Sequence, residues 1–237
     1  MKPSSIGSLV ACALLAFPLT ATVAPIATHV MPPDSYPRGL SYADWSAGWW
    51  QWFMQHPLDC HPAIDDPQCD VTAGQSGKVR YLSTVLDFDP SDGVTPCTRT
   101  IEVTPGTSLF IGLLNAEMSS QEGVPDEETQ RWLANFQADA ITELSFSVDG
   151  QAVENIFDYR FESNQFTFTA PDPWIFGPAG AGEFGTAVAD GYYVFLAPMS
   201  AGQHVLRTTG KIYFEPGVFG PDPVELNADT TYIVNVQ

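Results

Sequence analysis

Residues 41–56, SYADWSAGWWQWFMQH, constrain the fold of this chain more than any other stretch. They set four tryptophans, a tyrosine, a phenylalanine and a methionine within about four helical turns. Ser41 and Asp44 match a capping box with Asp in place of Glu, and Pro57 stops the helix at His56. At about 100° per residue, Tyr42, Trp45, Trp49, Trp52, Phe53 and His56 share one side, and Ala43, Ala47, Trp50 and Met54 fill the next. Only Asp44, Gly48, Gln51 and Gln55 remain polar or small. A helix apolar over more than half its circumference has to be surrounded, so the remaining chain is expected to enclose it. Suspicion of function then moves from the rings to the narrow stripe. Gln51 and Gln55 either face solvent or line a cleft that Gly48 lets a neighbour approach.

The rest of the chain supplies short strands. Thr98–Val103 and Thr107–Leu114 flank the turn at Pro105-Gly106, and SLFIGLL is apolar on both faces, as a central strand is. Asp149-Gly150 marks a hairpin, and QFTFT alternates. A second helix opens at Pro125-Asp126 with acids in its first turn. About nine strands and two helices predict a mostly β, single-domain β-sandwich over residues 41–237, with helices on or between its sheets.

The leader points to export. Lys2, an apolar run from Ile6 to Phe17 and small residues after Pro18 read as a signal peptide over residues 1–24, followed by a Pro-rich extended arm over residues 25–40. No later run is long enough for a membrane span. The net charge is −19, from 28 acids against nine Lys and Arg. Such a surface repels nucleic acid phosphates and anionic lipid. The partner expected is an extracellular small molecule or polysaccharide; the oligomeric state is left open. Beyond the leader stand Cys60, Cys69 and Cys97, in a compartment where disulfides persist. Strand positions favour Cys69–Cys97, a closure worth roughly 3–4 kcal/mol; Cys60–Cys69 is the local alternative.

Asn115 and Glu117 follow the fully apolar strand and point the same way at a sheet edge, with Glu122 in the loop beyond. A carboxylate and an amide at a strand end suit general acid/base work or calcium ligation; the bland alternative is a turn capping the second helix. His56, His61 and His204 match no zinc spacing. Asp87-x-Asp89-x-Ser91-Asp92-Gly93 resembles a calcium loop, but its glycine falls one place late and no terminal Glu follows. No cofactor is therefore expected, calcium being the weak exception. Gly74-Gln75-Ser76-Gly77 is not a nucleophile elbow, because a strand follows it.

SYADWSAGWWQW, CDVTAGQSGKVRYL and DGYYVFLAPMSAGQHVLRTTGK together resemble a group of secreted bacterial proteins of unknown function. The resemblance spans most of the chain beyond the leader, with Cys60 an addition to its pattern. It implies a shared fold and export, and no activity. The reading that results is a secreted ligand-binding sandwich, with carbohydrate as the candidate ligand and an exposed Trp174 in the Gly/Pro-rich loop to stack on it. The alternative is an extracellular hydrolase or lyase acting on a polymer or ester. It would use Glu117 with Glu122, Asp44 or His204.

Overall fold

The helix opens as its residues dictate. In the computed structural model, which describes residues 29–66, 69–72, 74–87 and 95–237, α1 runs Tyr42–Met54. Asp44 N donates to Ser41 Oγ at 3.2 Å and Ser41 N to Asp44 Oδ2 at 3.1 Å, closing the capping box. Tyr42, Trp49, Trp50, Phe53 and Met54 are buried. The signal peptide expected over residues 1–24, and most of the calcium-like turn, lie outside the described residues.

Among the described residues, ten strands form two mixed sheets. One has the order β1 (Val79–Ser83), β3 (Ser108–Ser119), β8 (Phe184–Leu196), β6 (Arg160–Glu162), with β7 (Phe166–Thr169) also on β8. The other has the order β2 (Cys97–Val103), β10 (Val224–Val236), β9 (Gly202–Phe214), β4 (Ile141–Val148), β5 (Gln151–Ala152). Parallel pairing joins β1 to β3 and β2 to β10; the other ladders are antiparallel. The architecture is the mostly β sandwich that the strand spacing predicts. Helix α1 rests on β3, β6, β7 and β8, and α2 (Glu127–Ala138) on β3 and β8. No described helix is long and apolar enough to cross a membrane.

Indole N–H groups anchor α1 to the strands. Trp49 Nε1 donates to Leu82 O at 2.8 Å and Trp50 Nε1 to Tyr193 Oη at 2.7 Å, so two buried donors are satisfied. From His29 on, the Pro-rich lead turns at Pro32–Ser35 and again in the short 3-10 helix Pro37–Gly39, and it is held down. Met31 N donates to Phe195 O, Ala197 N to His29 O, and Tyr42 Oη to Met31 O.

Two expectations are corrected. The disulfide is Cys60–Cys69, with Cα atoms 5.1 Å apart, and Cys97 is a buried free thiol. The loop after α1 turns back within nine residues, and Cys60 adopts φ +61°, which brings it onto Cys69. The Cys97 thiol instead donates to Asp65 Oδ1 at 3.1 Å. Trp174 is not exposed: 4% of it is accessible. Its Nε1 donates to Met54 O at 3.0 Å, satisfying one of the carbonyls that the end of α1 leaves open.

Candidate functional site

The site is built around a break in β3. Gly112 pairs with Tyr193, but the next paired residue, Asn115, faces Gly191, so β3 carries one extra residue there. A bulge of this kind re-aims the side chains beyond it. Tyr193, Gly191 and Ala189 are alternate residues of β8, so their partners Gly112, Asn115 and Glu117 share one face. Without the bulge, Asn115 and Glu117 would lie on the face opposite Gly112. Gly112 is where α1 comes closest: a Cβ there would stand 2.6 Å from Trp49 Cζ2 and 2.7 Å from Asn115 Nδ2. The pairing of β1 with β3 ends at Gly112. Beyond that point the strand borders open space.

That space is a cavity of about 600 Å³, within the usual range of small-molecule sites. Its walls come from both sheets: Leu113 and Leu114 of β3 face Ile212 and Phe214 of β9, with Trp49 and Phe53 of α1 alongside. Exposed Ile64 and Phe176 stand among the lining residues, on the loops beyond α1 and beyond β7. The first of these loops is fastened from below. Buried Arg99 donates to Pro62 O at 2.8 Å and also to Ile64 O. His61 Nε2 lies 3.0 Å from Phe53 O, and Ala63 N donates to His61 Nδ1 at 3.1 Å. Burial pushes the His61 pKa down to about 4, against the hydrogen bond to Phe53, so the ring is a neutral strut.

Polar groups gather at one end of the cavity, where Asn115, Glu117 and Glu122 all line it. Glu117 is 5% exposed, and its Oε2 has no hydrogen-bond partner. Burial holds its carboxyl well above the usual carboxylate range. The Glu122 charge and a side-chain hydrogen bond between the two acids push it the same way. The neutral acid is therefore the favoured form of Glu117. Glu122 is exposed and also closes a capping box on the turn after β3: Ser119 Oγ donates to Glu122 Oε2 at 2.7 Å and Ser119 N at 3.1 Å.

The other candidates lie elsewhere. Gln51 Nε2 donates to Thr167 O at 2.9 Å and Gln55 Oε1 accepts from Thr169 N at 3.3 Å, so the two glutamines brace α1 against β7. Neither lines the cavity. Asp44 stays in its cap and accepts from Asn164 Nδ2 at 2.9 Å. His204 Nδ1 is 2.8 Å from Asp149 Oδ2 and Nε2 is 3.0 Å from Ser200 O. Its ring also contacts His29, whose carbonyl meets Ala197 just past the end of β8. Glu117 pairs with Ala189 of that strand; the separation from Ala189 to Leu196 is roughly 23 Å at the usual strand rise. His204 thus has its own partners, remote from Glu117. Buried Trp174 has no face to offer a sugar.

Trp49, Trp50 and Phe53 are buried core residues, as the width of the apolar arc predicts, and they also line the cavity, which the sequence does not announce. One signal was there to be read: an isolated glycine, Gly112, inside an apolar strand marks a close approach. Among the described residues, no cluster of His, Cys, Asp or Glu is arranged to hold a metal. Comparison with protein-family models, with curated proteins and with solved structures finds no match.

Proposed function

We propose that this is an exported binding protein whose ligand is a small, predominantly apolar molecule held between the sheets. The observation that carries the reading is the cavity of about 600 Å³ with a buried, unpartnered carboxyl oxygen at one end. An apolar enclosure supplies affinity, and one convergent polar cluster fixes orientation. The leader sequence and the disulfide support export. The ligand is apolar rather than a carbohydrate, because the indole that would have stacked on a sugar is buried under the chain's own loop.

Hydrolysis at the same carboxyls is the second reading, favoured by the raised pKa of Glu117. Glu117 and Glu122 are hydrogen-bonded to each other, whereas acids that cleave a glycosidic bond stand about 5 Å or more apart. A separation that close favours a held ligand over that chemistry.

Titration with N-phenyl-1-naphthylamine, a neutral apolar fluorophore, tests the binding reading. Wild type brightens and blue-shifts the probe saturably. Asn115→Phe, which places a ring on the Glu117 face of the cavity wall, abolishes the signal, and Trp132→Ala on the exposed face of α2 keeps it. An equal response in wild type and Asn115→Phe overturns the reading.

A further inference from the structure

We infer that the ligand carries a primary or secondary ammonium group beside its apolar body, and that Glu117 Oε2 accepts a hydrogen bond from it. This deepens the binding reading above and rests on it. Three observations lead there.

First, the ionisable side chains of opposite sign are unevenly shared. Asp65, Asp87, Glu117 and Glu122 line the cavity, and no Lys or Arg is among its described lining residues. A ligand carboxylate entering there meets like charge from these side chains, and low-dielectric walls strengthen the repulsion.

Second, the acids at the far end leave a defined vacancy for a donor. Glu117 Oε2 is buried without a hydrogen-bond partner. A carboxyl oxygen offers lone pairs, so what it lacks is an N–H or O–H group. A fully buried acceptor left unmatched is costly, so a ligand that brings a donor gains more there than one that brings another acceptor.

Third, the ionisable side chains gathered at this end are carboxyls, so any charge they carry is negative. Among donors, an ammonium gains from that charge and a hydroxyl does not. The groups facing Glu117 leave the balance unchanged: Asn115 is neutral, Tyr193 is a buried neutral phenol, and Gln137 Nε2 reaches only the Glu117 backbone oxygen, at 3.4 Å.

Competition against bound N-phenyl-1-naphthylamine tests this with three probes of one chain length: decylamine, decanol and decanoate, each below its micelle concentration at neutral pH. Decylamine should displace the fluorophore at a concentration about tenfold lower than decanol, the scale of one charge-assisted hydrogen bond. Decanoate should be the weakest of the three. In Glu117→Gln, and separately in Glu122→Gln, the preference for decylamine over decanol should fall toward unity while the fluorophore still binds. Decanoate matching or exceeding decylamine overturns the inference. So does a preference that persists unchanged in both variants. If decanol competes while decylamine has no advantage, the ammonium assignment fails and the apolar cavity stands. If the fluorophore itself does not bind, both fail together.

Discussion

Two buried acids sit on neighbouring strands a residue apart in register, and they have opposite fates. Glu117 of β3 pairs with Ala189, and Asp190 of β8 pairs with Ala116, so their side chains leave the sheet on opposite faces. Each is nearly inaccessible, and each leaves one oxygen without a hydrogen-bond partner. Desolvation raises the pKa of both. What differs is the neighbour. Arg160 donates to Asp190 Oδ2 from Nε at 3.0 Å and from Nη2 at 2.6 Å, and also reaches Asp139 Oδ1 at 2.6 Å. Glu117 faces another carboxyl and an open cavity. Burial alone therefore does not mark a functional acid. A guanidinium beside it makes the acid a structural tie, whereas a second carboxyl and open space leave its valence for something from outside.

Arg160→Ala should have the largest effect on that comparison, because it strips Asp190 of its cation. The expected loss is about 3 kcal/mol in urea unfolding, the low end for a broken buried pair, since Arg160 is 30% exposed. Adding Asp190→Asn should recover part of it, and a double-mutant cycle measures the coupling. If Arg160→Ala is neutral, Asp190 is not held by its ion pair and the contrast collapses.

Gly112→Ala comes next. The added methyl meets Trp49 and the Asn115 amide at under 3 Å, overpacking that costs about 1–3 kcal/mol. It should also weaken fluorophore binding, because Trp49 and Asn115 both line the cavity. Full stability with full binding would show that the bulge does not depend on the close approach of α1.

Glu117→Gln should have the smallest effect in acid and a growing one as pH rises. The native carboxyl's pKa lies above its unfolded value. Between the two, the folded state binds more protons than the unfolded, and stability falls with rising pH. The amide mimics the neutral acid, so near pH 4 the variant should lie within about 1 kcal/mol of wild type. Above that it should become the more stable of the two, and unfolding curves across pH check the crossover. Parallel pH profiles for the two proteins would mean that Glu117 ionises freely in the fold.

Elements governed by local chemistry were legible in the sequence. Ser41, Asp44 and Pro57 delimit α1, and the alternation in β2 and β7 matches their burial. Asn115 and Glu117 do share a face, though for a reason that spacing could not supply. The bulge between Gly112 and Asn115 exists only against its partner Gly191, whose φ of +148° suits glycine. Trp174 looked exposed because glycine and proline surround it, and composition says where a chain turns rather than what the turn packs on. Strand positions favour Cys97 as the partner of Cys69, but the loop from Cys60 closes on itself through a backbone conformation that sequence does not announce. The sequence leaves the glutamines of α1 either in solvent or along a cleft. Their partners are the backbone of β7, which only the folded arrangement brings alongside.

The claim beneath all of this is that Glu117 is a neutral acid waiting at the end of a ligand cavity. Its side-chain carboxyl carbon can be followed by NMR across pH in the free protein and with decylamine bound. The account predicts that the free carboxyl titrates well above the solvent-exposed glutamates and that the bound cation shifts its midpoint downward. A Glu117 that titrates with the exposed acids and ignores decylamine would contradict it.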